Sequence, residues 1–369
     1  MRKYFGTDGI RRIANTELTP ELVYKVAKAG AYVLSKHTDH APTIFIGRDT
    51  RISGTLIESA MTAGFLSYGA NVKMLGVMPT PAVAYLTKKF KADASVVISA
   101  SHNTFEFNGV KYFSNKGMKI PDELEEEIEE VMDSGKINEL TAVNDKIGTS
   151  EIATELLDEY VYFFRKNFEE DLERLNRDDF VVAVDTANGA TSVVADKVFT
   201  VLGIKHHILN DSPNGININD GCGSTHLEML KQYVIDKKCS LGIAYDGDGD
   251  RCLAVDENGN EIDGDKIIAI ISQYLKSKGK LNKDTIVATV MSNLGLNKYA
   301  KQNELNFVQT KVGDRYVLEE MLKNGYNLGG EQSGHVICLD YNPTGDGILT
   351  SLMIIRAILE QGKKASEVA

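Results

Sequence analysis

The sequence predicts three consecutive α/β domains with mixed or parallel sheets arranged around a shared cleft. Three observations lead there. Continuous apolar runs of strand length recur at residues 43–47, 94–99, 180–185, 240–245 and 285–290. Stretches of helical periodicity separate them, which is the βαβα pattern of sheets covered on both faces. Each round of roughly a hundred residues also carries one polar loop: Ser99 to Asn103, and the glycine-bearing Asp246 to Arg251 and Gly330 to His335. Domain limits are placed at 1–150, 151–256 and 257–369.

Composition narrows the function. A net charge of -11 with no Lys/Arg-rich run speaks against nucleic acid as a partner. No apolar run is long enough to span a bilayer, and the start of the chain lacks a signal-peptide core, so no membrane role and a cytoplasmic location are expected. Cys222, Cys239, Cys252 and Cys338 show no C-x-x-C pairing and read as reduced, partly buried thiols.

In the first round, Phe5-Gly6-Thr7-Asp8-Gly9-Ile10-Arg11-Arg12 reads as a strand, a turn or a backbone loop facing an anion. Thr19-Pro20-Glu21 starts a helix with a capping threonine and proline in the first turn. Strands at 43–47, 72–77 and 94–99 alternate with helices from about Ser53 to Tyr68 and from Pro79. The last strand runs into Ser101-His102-Asn103-Thr104. Ser101 is a nucleophile, a phosphate carrier or simply a loop hydroxyl, and adjacency to His102 does not make a triad. Asn108-Gly109 looks like a hairpin turn, with a strand at 110–114 whose Lys111 points either near Ser101 or across the sheet. The acidic helix at 122–131 reads as a solvated face. The helix expected at 151–168 carries an aromatic stripe suited to an interdomain core.

The second round restarts with the strand at 180–185, a helix ending near Gly203, a strand at 205–209, and a long polar loop at 211–226, of the kind usually reserved for function or linkage. It then delivers Asp246-Gly247-Asp248-Gly249-Asp250-Arg251 at the end of a buried strand, where open α/β sheets bind ligands. Three carboxylates this close repel unless a cation neutralises them, and hard oxygen donors suit Mg²⁺ or Ca²⁺. An EF-hand also opens Asp-x-Asp-x-Asp and would find Glu257 at its twelfth position. Arg251 stands where that loop needs glycine, and a strand precedes it. The third round adds a helix at 265–275, strands at 285–290 and 307–310, the segment Lys311-Val312-Gly313-Asp314-Arg315, and Glu331-Gln332-Ser333-Gly334-His335.

A serine, a cation loop, scattered Arg/Lys and a Glu/Ser/His loop fit phosphoryl transfer. The metal neutralises the moving group, cations hold it, and an acid/base serves the attacked oxygen.

The segments Phe5–Arg11, Ser99–Asn103, Asp246–Arg251 and Gly330–His335 also resemble, in order and spacing over essentially the whole chain, the α-D-phosphohexomutase family. Within it, residues 215–226 and 312–316 resemble the branch that acts on glucosamine phosphate rather than on mannose or glucose phosphate. The resemblance implies that Ser101 is a phosphoserine and that Asp246, Asp248 and Asp250 hold Mg²⁺ together with the Ser101 phosphate. It implies roles near the transferred phosphoryl for Arg11, His102, Lys111 and Arg251, with Lys111 as an acid/base and His335 as a second one. Glu331 and Ser333 match the sugar-hydroxyl loop, and Lys311 and Arg315 are counted with the substrate-binding residues. The implied partners are a hexosamine phosphate, a hexosamine bisphosphate intermediate, and a second copy of the chain in a homodimer.

Three departures stand out. Arg12 replaces the family's usual glycine, and Thr104 replaces the proline after Ser-His-Asn, so a less rigid serine loop is expected. Nothing matches the family's fourth, C-terminal phosphate-gripping domain, from which weak or absent turnover is expected. A non-catalytic, metal-dependent sugar-phosphate binding protein and a Ca²⁺ module are the alternative classes.

Overall fold

The computed structural model describes residues 3–6, 8–36 and 38–369, so Thr7 of the first motif lies outside the described residues. These pack as two compact units: residues 1–160 with 213–218, and residues 161–212 with 219–369.

The first unit carries one six-stranded sheet. Its strands are β1 (Ile10–Ile13), β2 (Thr43–Arg48), β3 (Asn71–Val77), β4 (Ala94–Ile98), β5 (Phe107–Ser114) and β6 (Ser150–Ile152), in spatial order β1-β5-β4-β2-β3-β6. β2 pairs in parallel with β3 and β4, while β5 runs antiparallel to both β4 and β1. Consecutive Ile44, Phe45 and Ile46 are each at most 1% exposed, which requires helices on both faces. The helix Pro20–Ser35 supplies one cover. Thr19 caps it, accepting from the Leu22 amide at 3.3 Å, and Tyr112 of β5 donates its hydroxyl to the Val26 carbonyl at 2.9 Å.

Two expectations fail here for physical reasons. Asn108 and Gly109 form no turn; they lie inside β5. Asn108 donates to Ser53 Oγ at 2.9 Å, and a Cβ on Gly109 would sit 2.5 Å from the Ser99 carbonyl oxygen and 2.7 Å from that of Ile10. Three strands crowd together at this point, and only glycine fits. The acidic helix Asp122–Asp133 is not a purely solvated face either. Glu125 and Glu129 are buried, and the Glu129 carboxylate accepts from the backbone amides of Lys3, Tyr4 and Phe5 at 2.6–2.7 Å. A carboxylate takes three amides that would otherwise lack partners and fixes the segment leading to Arg11.

The expected helix at 151–168 is a strand end, a short 3₁₀ turn and then a helix at Leu157–Glu173. Part of the long polar loop, Pro213–Ile218, counts with the first unit, where the Ile52 amide donates to the Gly215 carbonyl at 2.8 Å.

The second unit carries two sheets. One has β7 (Val181–Asp185), β8 (Lys205–Leu209), β9 (Leu241–Tyr245), β10 (Cys252–Asp256) and β11 (Glu261–Ile262), ordered β11-β10-β9-β7-β8. The other has β12 (Thr285–Thr289), β13 (Asn306–Thr310), β14 (Leu328–Gly330) and β15 (Val336–Cys338), ordered β13-β12-β14-β15. The helix Gly347–Gln361 is apolar almost all round and packs on β10, β15 and the helix Gly264–Ser277, uniting the two sheets. Tyr245 meets Ser351 at 2.9 Å through their hydroxyls. Phe168 stacks on Tyr341 with centroids 5.8 Å apart, so the aromatic stripe is core, with the exposed Tyr162 as its exception. All three sheets are mixed, with helices between strands, as expected of α/β domains. Among the described residues no helix is long and apolar enough to cross a membrane.

Candidate active site

In the first unit the site begins at Ser101. The residue follows β4, is 1% exposed and has φ of 52°, a left-handed conformation that side chains rarely adopt. Such strain, about 1–3 kcal/mol, persists only where the surroundings over-determine it. Asp49 and Arg51, both fully buried beyond β2, do so. Arg51 Nε donates to Asp49 Oδ2 at 2.8 Å. Its Nη2 donates to the carbonyls of Ser101 and Asn103 at 3.0 and 2.8 Å, and its Nη1 to those of Phe107, at 3.0 Å, and Thr104. Ser99 links the two ends: its hydroxyl donates to Asp49 Oδ2 at 2.6 Å and accepts from the Ser101 amide at 2.9 Å. The sequence reading missed this pair. Its signal was two charges at the end of a buried strand, in Gly47-Arg48-Asp49-Thr50-Arg51.

Around this loop the expected residues gather. His102 Nδ1 lies 3.4 Å from Ser101 Oγ. Arg11, on β1, donates to Asn103 Oδ1 at 3.2 Å and to Asp8 at 2.7 Å. Lys111 is 3% exposed, and its ammonium lies 3.3 Å from Asp8. The antiparallel register decides the side of the sheet that alternation left open. Lys119 also donates to Asp8. Burial would raise the Asp8 carboxyl, but Lys111, Lys119 and Arg11 outweigh it and hold it well below the usual carboxylate range. Neither Asp8 nor Lys119 was singled out from the sequence.

In the second unit, Asp246 to Arg251 is the hairpin loop joining β9 to β10. Asp246, Asp248 and Asp250 are buried, and each offers one oxygen so that all lie within 4.8 Å of one another. Backbone contacts shape the loop. The Ala190 amide donates to the Gly247 carbonyl at 2.7 Å, and a Cβ on Gly189 would come within 2.7 Å of Gly247 Cα. The amide of Gly347 donates to Gly249 at 2.9 Å, and that of Cys252 to Gly334 at 3.0 Å. The strand–loop–strand setting excludes an EF-hand. Three buried carboxylates with converging oxygens fit a hard divalent cation.

The Arg251 amide donates to Asp246 Oδ1 at 3.2 Å, and its guanidinium lies 3.9 Å from Asp250. Burial opposes its charge, but Asp250, Asp246, Glu331 and Asp248 keep it protonated. His335 is buried, with Nδ1 3.6 Å from Asp250 and Nε2 4.0 Å from Asp314. Burial works against the imidazolium, yet these carboxylates and Glu331 push His335 up to about 9. Against that, Nε2 accepts the Gly345 amide at 3.1 Å, which requires a lone pair and hence the Nδ1-protonated tautomer. Glu331 Oε1 accepts from the Gly313 amide at 3.1 Å.

The remaining expected residues are less engaged. Ser333 is exposed in its turn. Lys311 is exposed, with its ammonium 5.8 Å from the Tyr316 ring centre, and Arg315 pairs with Glu319 along its own helix at 2.9 Å. The four cysteines are buried and unbonded to one another. Burial pushes Cys222 and Cys338 up to about 12, so neither is a thiolate at neutral pH.

Comparison with known proteins gives this geometry a family. Residues 2–139, 158–259 and 263–369 match the profiles of phosphoglucomutase/phosphomannomutase alpha/beta/alpha domains I, II and III. Phosphoglucosamine mutase of Acetivibrio thermocellus is 53% identical over 369 residues, all of this chain and 81% of that protein. The phosphoglucosamine mutase of Clostridium acetobutylicum is 52% identical with the same coverage. Two solved structures share the fold. A putative phosphomannomutase from Thermus thermophilus has a TM-score of 0.87 at 23% identity, covering 100% of this chain and 83% of that one. A phosphoglucomutase/phosphomannomutase family protein from Burkholderia thailandensis has 0.85 at 21%, covering 99% and 78%. With its three domain profiles in order and relatives of this identity along its full length, the chain belongs to the phosphoglucomutase/phosphomannomutase family of α-D-phosphohexomutases.

Proposed function

We propose that the chain interconverts glucosamine 6-phosphate and glucosamine 1-phosphate through a phosphoserine at Ser101 and a hexosamine bisphosphate. The observation that carries this reading is the buried Asp246, Asp248 and Asp250 cluster, in a chain half-identical to phosphoglucosamine mutases. In the first half-reaction, the phosphorus–oxygen bond to Ser101 Oγ breaks and a bond to the sugar hydroxyl forms. The hydroxyl's proton passes to a base and the departing Ser101 Oγ takes a proton from an acid, with Lys111 and His335 the candidates for these two roles. Arg11, His102 and Arg251 hold the non-bridging oxygens of the moving group. Glu331 and Ser333 bind sugar hydroxyls, and Lys311 and Arg315 join them as substrate-binding residues. Asp246, Asp248 and Asp250 would hold Mg²⁺, which supplies charge neutralisation to the transferring phosphoryl. The second half-reaction returns the other phosphate to Ser101, so the residues must keep water from the intermediate.

The test is intact mass with site mapping after incubation with Mg²⁺ and glucosamine 1,6-bisphosphate, beside Ser101→Ala. One added phosphate on Ser101, absent from the variant, is expected. No added phosphate on the wild-type chain would overturn the reading. Parallel assays with glucosamine, mannose and glucose 6-phosphates are expected to favour glucosamine; equal rates would place the chain with the broader mutases.

A further inference from the structure

Arg11 sits on β1, which lies at the edge of its sheet with β5 as its neighbour. An edge strand is paired along one side alone, so its approach is set by whatever holds the chain before it. Here that is Glu129. Its carboxylate, buried on the helix Asp122–Asp133, takes three consecutive amides: Lys3 on Oε2 at 2.7 Å, and Tyr4 and Phe5 on Oε1 at 2.6 and 2.7 Å. Bonds this short to an ionised acceptor are the strong kind, and three converging amides fix direction as well as distance. Phe5 is buried in the same core as Ile128 and Val131 of that helix. Asp133, one turn on, takes the Lys3 ammonium at 2.9 Å and the Tyr4 hydroxyl at 3.0 Å. Arg12, which stands where the family usually has glycine, donates to the Lys3 carbonyl at 3.0 Å. Past this anchor the Gly6 amide donates to the Gly9 carbonyl at 2.8 Å, and a Cβ on Gly9 would come 2.3 Å from the Val110 carbonyl oxygen of β5. The stretch that leads to Arg11 is thus held at both ends, by Glu129 before it and by β5 after it. Arg11 then reaches Asp8 at 2.7 Å and Asn103, two residues from Ser101, at 3.2 Å.

We infer that Glu129 is a positioning residue for phosphoryl transfer: by anchoring Lys3, Tyr4 and Phe5 it sets the approach of β1 and so holds Arg11 against the serine loop. The inference rests on the proposed phosphoryl transfer. Glu129 acts through Arg11 and not by contact with the moving group. Donors aimed before the charge arrives need not reorganise during transfer. A misplacement of about 1 Å can cost about a hundredfold in rate.

The rate of Ser101 phosphorylation by glucosamine 1,6-bisphosphate with Mg²⁺ tests this, measured by intact mass on the full chain and followed over hours so that slow variants are read. The variants are Glu129→Gln, Arg11→Met and the two combined. Glutamine keeps the side chain's length but turns an N–H toward amides that need an acceptor. Glu129→Gln is expected to be about tenfold slower than wild type, a fraction of the cost of a full misplacement. In the Arg11→Met background the same substitution should cost less than about twofold, because the side chain it aims is gone. Lost stability alone slows both backgrounds alike and shows no such coupling. Equal slowing in the two backgrounds, or a wild-type rate in Glu129→Gln, overturns the inference, while phosphorylation of Ser101 leaves the proposed function standing. Should Glu129→Gln not fold, Asp133→Asn releases Lys3 and Tyr4 at an exposed position of the same helix and enters the same cycle. About threefold slowing is then expected, with the same dependence on Arg11, and the same outcomes overturn the inference. A wild-type chain that takes no phosphate removes the function and the inference with it.

Discussion

The serine loop of the first unit and the aspartate loop of the second are both short, buried and placed after a central strand, yet they are held by different materials. Behind the serine loop stands a buried ion pair. Arg51 spends its donors on the carbonyls of Ser101, Asn103, Thr104 and Phe107, and Asp49 neutralises it. Behind the aspartate loop stands plain backbone, with Gly189 and Ala190 on one side and Gly334 and Gly347 on others. A loop proposed to carry a dianion is braced by a charged side chain. A loop whose own carboxylates bear the charge is braced by groups that add none. The lesson is that a bracing element must not compete with the ligand its loop is built for.

The comparison breaks most readily at Arg51. Arg51→Met takes the guanidinium from the buried Asp49 carboxylate, so a loss of about 3–5 kcal/mol is expected in urea unfolding. A loss under 1 kcal/mol would show that the pair braces nothing. Next in size is the cation. Mg²⁺ at a hundred times its dissociation constant should add about 2.7 kcal/mol to the second unit's stability. EDTA should remove that gain, and Asp248→Asn should abolish it. A melting temperature indifferent to Mg²⁺ would detach the aspartate cluster from metal binding. Gly189→Ala forces a Cβ against Gly247 and should cost about 1–3 kcal/mol of overpacking while weakening Mg²⁺ binding. Wild-type affinity in that variant would show that the loop is shaped elsewhere.

The smallest effect is a pH dependence. Asp8 has a folded pKa below its unfolded value, so its stabilisation is present above the ordinary carboxylate range. It is lost as pH falls through the folded value. The difference in urea midpoint between wild type and Asp8→Asn should therefore shrink on acidification below about pH 4. A constant difference would place the effect outside Asp8's charge.

Much of this arrangement was legible. β2, β4, β7 and β9 are buried on both faces and read as unbroken apolar runs. The aspartate loop's spacing announced its convergence. Other features had no local signature. Asn108-Gly109 carries a turn's residues for a reason found only across three strands. β6, with Ile152 72% exposed at the sheet edge, offers neither alternation nor burial to detect. Lys111 could not be assigned a side until β5 was registered against β4. Arg51 had no local signature because its partners include main-chain carbonyls some fifty positions away, and Asp49 accepts from a serine hydroxyl equally distant in sequence. Glu129 was hidden in a run of glutamates of which most are solvated.

Glu129 also orders events in time. The amides it holds lie 124–126 positions upstream, so the segment that presents Arg11 cannot dock while a ribosome is still making the first hundred residues. β1 waits in the same way for β5, since Ile10 pairs with Val110. Long-range closures of this kind are slow compared with local helix formation, and domains assemble as they emerge. The nascent chain therefore makes its serine loop before it can make the basic wall beside it. The segment bearing Arg11 takes its place only once β5 and Glu129 have been made.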